Sequence, residues 1–213
     1  TNGITLGGGL ELSLTCDYRI GTEKTLLRTP ESSIGIFPGL GGTQRIPRIC
    51  GIEAARFTVL AGNFIDAETA NALGLVTHLV DASEVTATVR ALSNQGKPEN
   101  KYPGSPSDQS HPVAQMSRAF FSDENMEALL SGEVPEGFDP EDKNVARQMK
   151  SLSRAAPVAL GLSSELLDKA MVTDLAAGLQ SELDSLDRIF STQDAVEGLS
   201  ALIEGRRPNY IGA

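Results

Sequence analysis

Two glutamates beside glycine-rich segments are the residues of this chain best suited to catalysis. Glu11 follows Gly7-Gly8-Gly9, and Glu31 lies in Thr29-Pro30-Glu31, ahead of Pro38-Gly39-Leu40-Gly41-Gly42. Two carboxylates that face one another across a substrate can share acid and base work on one water molecule, because each changes the proton affinity of the other. A glycine run beside one of them lets backbone N–H groups approach an oxygen that becomes negative during reaction. The pattern predicts an acid–base site next to an oxyanion-binding amide.

Both glutamates also have a plain structural interpretation. Glu31 follows a proline, where a carboxylate often caps a turn or is solvated. Glu11 precedes an apolar segment, where an unpaired charge would be costly. That cost favours a functional reason for Glu11. His78 and His111 have no partner motif, so neither is expected to be catalytic.

The elements around the glutamates can be read from the apolar pattern. Leu10, Leu12 and Leu14 alternate, which alone would suggest a strand, but the flanking glycines and Cys16-Asp17 also suit a short buried helix. Further along, the pattern predicts strands at 18–20 and 26–28 around a turn at 21–24. It then predicts a helix at 44–49 capped by Thr43, helical residues at 51–61 and a helix at 67–73 that begins after Asp66. A strand is predicted at 75–80.

The second half of the chain is mainly helical in pattern. Residues 93–112 are rich in Pro, Gly, Ser and Asn, which predicts an irregular loop. Helical patterns follow at 113–121, 123–131, 140–153, 157–167, 175–190 and 194–204. We therefore divide the chain into a core part at 1–84, an inserted loop and helical segment at 85–153, and a C-terminal helical region at 154–213.

Composition excludes several classes of function. The net charge of −10 over 213 residues disfavours nucleic acid as a partner. Neither a signal peptide nor a long apolar run is seen, so no membrane insertion is expected and a cytoplasmic enzyme is the default. Cys16 and Cys50 lack metal or redox spacing and are interpreted as packing residues. An anionic ligand would need local cations, for which the candidates are Arg45, Arg48, Arg206 and Arg207.

Three blocks in order resemble the crotonase family, and within it the enoyl-CoA hydratases. They are GITLGGGLELSLTCDYRI, TPESSIGIFPGLGGTQRIPRICG and LAGNFIDAETANALGLVTHLV. The resemblance implies an α/β, superhelical ββα fold of the ClpP/crotonase type with a C-terminal helical region, and a helix at Leu10–Leu14. Because the family's second oxyanion amide comes from a segment upstream of these blocks, the chain looks like the C-terminal portion of the domain, within a longer and possibly bifunctional 3-hydroxyacyl-CoA dehydrogenase/hydratase polypeptide.

The same resemblance implies the chemistry. Glu11 and Glu31 would add water to a trans-2-enoyl-CoA of fatty acid β-oxidation, and the Gly8 amide would bind the thioester oxygen. Gly7, Gly39, Leu40 and Gly41 would contact the substrate. No metal and no cofactor is expected, since coenzyme A is part of the acyl-CoA substrate. The C-terminal helices resemble those that form a homotrimer or hexamer, and an upstream half of the same polypeptide would be a further partner.

Two alternatives remain open. The insertion resembles that of 3-hydroxyisobutyryl-CoA hydrolases, which would make the chain a thioesterase. Those hydrolases usually carry an aspartate where this chain has Gly39, so the hydratase is favoured over the hydrolase. The other alternative, of a different class, is a non-catalytic assembly portion of a larger enzyme.

Overall fold

The computed structural model describes residues 1–213, in which helices outnumber short strands. The strands are β1 (Ile4–Leu6), β2 (Ile20–Gly21), β3 (Leu26–Arg28), β4 (Ile65–Asp66) and β5 (His78–Leu79). The helices are α1 (Gly8–Leu14), α2 (Gly42–Cys50), α3 (Ile52–Arg56), α4 (Ala67–Ala72), α5 (Val85–Gln95), α6 (Pro112–Phe120), α7 (Met126–Leu130), α8 (Lys143–Leu152), α9 (Pro157–Val172), α10 (Leu175–Phe190) and α11 (Gln193–Glu204). Shorter 3₁₀ segments lie at Glu31–Ile34, Ala82–Glu84 and Asp123–Asn125, and a π-helical turn lies at Phe57–Ala61.

Two small sheets hold the first part of the chain together. In one, β3 lies between β1, with which it pairs in parallel, and β4, with which it is antiparallel. In the other, β2 pairs in parallel with β5. The chain leaves β1 directly into α1 and leaves β3 two residues before the 3₁₀ segment Glu31–Ile34. Because β1 and β3 are neighbours, the two predicted catalytic segments start from the same edge of one sheet.

The inserted segment is part of the main hydrophobic core. Its side chains Ala114, Phe120 and Phe121 are buried in the same cluster as Leu10 of α1 and Leu27 of β3. Edge-to-face ring contacts extend this packing, with ring centroids 5.3 Å apart between Phe120 and Phe121. The insertion is therefore packed against the fold that carries the glutamates and has no separate core.

Most of the predicted helices are present, with small shifts of their ends. The helical interpretation of Leu10–Leu14 is confirmed, and Asp66 caps α4 by accepting the N–H of Thr69. The irregular stretch begins only after α5, which extends to Gln95. No helix is long and apolar enough to cross a membrane.

Three local predictions were wrong. The strand expected at 75–80 is reduced to His78–Leu79. Gly21, expected in a turn, lies in β2, because β2 and β3 join different sheets and do not form a hairpin. Thr43 does not cap α2. The helix starts at Gly42, two residues earlier than predicted, and its N-cap is Gly41, while the Thr43 hydroxyl donates to a carboxylate on α10.

Candidate active site

Glu11 is held by the loop that precedes α2. Its side chain is only 2% exposed, and Oε1 accepts the backbone N–H groups of Leu40 and Gly42, each at 2.8 Å. The Gly42 N–H is free because it lies at the first position of α2, where no intrahelical acceptor exists, and the Leu40 N–H lies in the turn just before the helix. A Cβ at Gly42 would lie 2.8 Å from Glu11 Oε1, so only glycine permits this approach. The loop therefore fixes the Glu11 carboxylate by two amides.

The ionisation of Glu11 reflects opposing influences. Burial raises the pKa of its carboxyl above the usual value, and the two amide bonds together with the positive charge of Arg45 act in the opposite direction. The amides bind the ionised form more strongly than the neutral form, which favours Glu11 as a proton acceptor.

Glu31 sits at the start of its 3₁₀ segment and is held much more loosely. It is 7% exposed, and Oε2 has no hydrogen-bond partner although it is buried. Burial is the main cause that raises the pKa of Glu31 to about 7, and the nearby negative charge of Glu11 adds to the increase, while Arg28 opposes it. A carboxyl of this pKa is partly protonated at neutral pH, so Glu31 can carry a proton to a substrate.

Gly7 and Gly8 lie where the two glutamate-bearing segments meet. Gly7 has a φ of +46°, and a Cβ there would lie 2.4 Å from Oε1 of Glu31, so both its conformation and its surroundings require glycine. Its N–H is bonded to the carbonyl of Arg28. The Gly8 N–H, at the first position of α1, has no acceptor within the chain. The Gly8 amide is thus free to meet an oxyanion, and the Gly9 N–H, at the second position of α1, is free by the same criterion.

The other three predicted substrate contacts form the loop above Gly8. Leu40 is 69% exposed, and its Cδ1 lies 3.1 Å from where a Gly8 Cβ would be, so an apolar side chain borders the free amide. Gly39 faces the apolar side chains of Leu186 and Phe37. Gly41 has a φ of +97° and turns the chain into α2.

Sequence reasoning missed a third buried carboxylate, Glu182 of α10. It is 1% exposed; Oε2 accepts the Gly41 N–H at 2.7 Å and Oε1 accepts the Thr43 hydroxyl. Burial raises its pKa to about 7, and the nearby charge of Glu11 contributes to this increase. The available signal was helical spacing, since Glu182 shares the inward face of α10 with Gly178 and Ile189. An acidic residue in an amphipathic helix is usually on the solvated face, so its spacing alone does not indicate a buried carboxylate.

The four arginines proposed to attract an anionic ligand differ in the bonds that they already make. Arg45 bonds the carbonyl of Leu40, beside the site, and Arg48 bonds the carbonyls of Gln44 and Thr173. Arg206 is paired with Glu197 and Glu204, so its charge is already compensated. Arg207 is exposed.

The two cysteines are placed differently. Cys50 is a packing residue as predicted, whereas Cys16 is exposed, because α1 ends at Leu14 before reaching it.

Known proteins that are similar to this chain agree on its class. A family model described as "Enoyl-CoA hydratase/isomerase" matches residues 1–211. The putative enoyl-CoA hydratase/isomerase YngF of Bacillus subtilis is 32% identical over 211 residues, which cover 99% of this chain and 60% of that protein. The crotonyl-CoA hydratase of Syntrophomonas wolfei is 29% identical over 210 residues, covering 99% and 59% respectively. The chain thus spans about three fifths of these relatives.

Solved structures agree on the fold. An enoyl-CoA hydratase from Rhodobacter sphaeroides matches with a TM-score of 0.76 at 24% identity, over 99% of this chain and 61% of that structure. A carnitinyl-CoA dehydratase from Mycobacterium thermoresistibile matches with a TM-score of 0.75 at 19% identity, over the same shares. At these identities the likeness shows the fold alone.

Proposed function

Because the chain belongs to the enoyl-CoA hydratase/isomerase family and has its α/β crotonase fold, we propose that it carries the catalytic carboxylates of an enoyl-CoA hydratase. The reaction is syn addition of water to a trans-2-enoyl-CoA, which gives the 3-hydroxyacyl-CoA. The observation that carries the proposal is the contrast between two neighbouring buried carboxyls. Glu11 is bound by two amides, and Glu31 has an unbonded oxygen and a pKa of about 7.

The contrast assigns a role to each carboxyl. Glu11 takes a proton from a water molecule as the water oxygen forms its bond to Cβ, and the Leu40 and Gly42 amides keep the carboxylate in place meanwhile. Glu31 delivers its proton to Cα on the same face. At the end of the addition Glu11 is protonated and Glu31 is ionised, so proton exchange with solvent restores the starting state after product release.

Negative charge that develops on the thioester oxygen is stabilised by the Gly8 amide in this proposal. The support is that the Gly8 N–H lacks an acceptor and that Leu40 provides apolar surface beside it. A second amide comes from a segment upstream of these residues. Loss of one donor of such a pair typically costs about 10²–10³ in rate, because fixed dipoles meet the developing charge without reorganising.

A paired assay separates hydration from thioester hydrolysis. The protein assayed includes the proposed upstream segment. Crotonyl-CoA is supplied and the absorbance of the conjugated thioester is followed, and 3-hydroxyisobutyryl-CoA is supplied in a second cuvette with a thiol reagent. We expect loss of absorbance and no thiol release, because Gly39 contributes no carboxylate and faces Leu186 and Phe37. Thiol release faster than hydration would favour the hydrolase.

The wider context of the reaction is also a proposal. The hydratase acts in fatty acid β-oxidation, as part of a longer polypeptide and as a homotrimer or hexamer. The support for self-association is a set of exposed apolar side chains on the last three helices: Met171, Val172, Leu183, Phe190, Val196, Leu202 and Ile203.

Two measurements on residues 1–213 alone test this context. We expect little hydratase activity, because only one oxyanion amide is present, together with self-association in sedimentation. A monomer at micromolar concentration would contradict the assembly. Full hydratase activity from residues 1–213 would mean that the oxyanion site is placed wrongly. Self-association without activity, even when the upstream segment is restored, would favour the non-catalytic assembly role.

A further inference from the structure

The loop at residues 40–43 binds two carboxylates in alternation. The N–H groups of Leu40 and Gly42 donate to Glu11, whereas the N–H of Gly41 and the hydroxyl of Thr43 donate to Glu182. Four consecutive residues therefore have their donors divided between α1 and α10. Neither carboxylate can move without disturbing the peptide units that hold the other.

Glu182 has few alternatives to this position. It is 1% exposed, and the Gln44 side chain next to it is fixed by a bond from Nε2 to the Leu166 carbonyl of α9. Gly178, one turn earlier on α10, allows the close approach, because a Cβ there would lie 2.0 Å from Gln44 Oε1. Tight packing on both sides therefore holds α10 against the loop.

We propose that Glu182 is a positioning residue for Glu11: from the C-terminal helical region it sets the geometry of the 40–43 loop. This inference rests on the proposed hydratase function. Removal of Glu182 leaves the Gly41 N–H without its partner and frees the loop to rotate, which moves the two amides that orient Glu11. Glu182 itself needs no contact with the substrate for this role.

The negative charge of Glu11 also acts on Glu182 and raises its pKa. The charged groups that influence Glu182 are Glu11 from α1 and Arg45 from α2, while Glu165 of α9 is paired with Arg188 at the surface. Two nearby like charges each disfavour ionisation of the other.

The kinetic test uses the protein with the proposed upstream segment. It compares Glu182→Ala and Glu182→Gln with Asp184→Asn, a control on the exposed side of the same helix. We expect Glu182→Ala to lower kcat about tenfold or more with KM nearly unchanged, because a misplaced base loses reactivity more than binding. Glu182→Gln keeps an acceptor for the Gly41 N–H, so it should restore most of kcat. Wild-type kcat in Glu182→Ala, or a loss in Glu182→Gln as large as that in Glu182→Ala, would overturn the proposal.

An amide NMR titration tests the same link without any catalysis. In the wild type the Gly41 resonance should titrate with a midpoint near 7, and this titration should vanish in Glu182→Gln. The Leu40 and Gly42 resonances, which report the bonds to Glu11, should shift in Glu182→Ala and stay in place in Asp184→Asn. If the wild type does not hydrate crotonyl-CoA, these resonances still decide the role of Glu182. Unchanged Leu40 and Gly42 resonances would overturn it.

Discussion

Glu11 and Glu31 are buried to a similar degree, yet the fold treats their oxygens in opposite ways. One oxygen of Glu11 accepts two backbone amides, whereas Oε2 of Glu31 accepts none. A buried carboxylate without a partner avoids charge by holding a proton, while one bound by amides tolerates its charge. The difference teaches that burial alone does not decide which of two carboxyls holds a proton. The backbone N–H groups that a neighbouring loop donates to one of them make that difference.

Replacement of the proton donor should have the largest effect. Glu31→Gln keeps the shape of the side chain and removes the transferable proton, so we expect hydration in the protein with its upstream segment to fall by about 10²-fold or more. Binding of the CoA ester should be nearly intact. Initial rates with crotonyl-CoA measure the loss, with Glu23→Gln, on an exposed turn, as the matched control. A variant that keeps more than about a tenth of the rate would remove Glu31 from the role of acid.

The pH dependence of the free energy of unfolding should show the second-largest difference between Glu31 and Glu11. The pKa of Glu31 rises from its ordinary 4.5 to about 7 on folding, so its stabilising contribution is complete below the unfolded pKa and is lost as pH rises towards 7. Glu31→Gln should therefore be more stable than the wild type above neutral pH, by up to about 3 kcal/mol, and by little in acid.

Urea unfolding at acid and alkaline pH measures this difference. Glu11→Gln is the comparison, because two amides already bind the Glu11 carboxylate and its removal should stabilise the protein less. An equal gain from the two substitutions would show that the unbonded oxygen of Glu31 has no energetic consequence.

A methyl group at the loop should disturb Glu11 selectively. Gly42→Ala would place Cβ 2.8 Å from Glu11 Oε1 and 2.7 Å from Pro38 Cβ, so the carboxylate must shift. We expect kcat to fall about tenfold, because catalytic groups tolerate little misplacement. Gly9→Ala is the control, since its nearest new neighbour is 3.8 Å away. Equal rates for these two variants would contradict the positioning of Glu11 by the loop.

The smallest effects should come from the two arginines that tune the carboxyls. Arg28 lowers the pKa of Glu31, and Arg45 lowers that of Glu11. Arg28→Gln should move the basic limb of the pH profile upward, whereas Arg45→Gln should move the acidic limb upward, each by about half a pH unit. The pH dependence of kcat measures both. A shift of the same limb in the two variants would show that the acid and base roles are not divided as proposed.

The sequence by itself determined the family and most of the helices, and it predicted Glu11, Glu31 and Gly8 as site residues. These features depend on local patterns: glycine runs, helical spacing, and a charge set in an apolar segment. The prediction of α1 shows the limit of such local patterns. The alternating leucines fitted both a strand and a helix, and only the family resemblance favoured the helix.

Tertiary structure alone decided how the carboxyls are held. The donors of residues 40–43 are divided between α1 and α10, whose glutamates are 171 positions apart at Glu11 and Glu182, so no local pattern links them. Thr43 was wrongly predicted as a helix cap for the same reason: its hydroxyl meets a carboxylate from the far end of the chain. Hydrogen bonds and charge effects depend on distance in space, and the packing of α10 on α2 sets that distance.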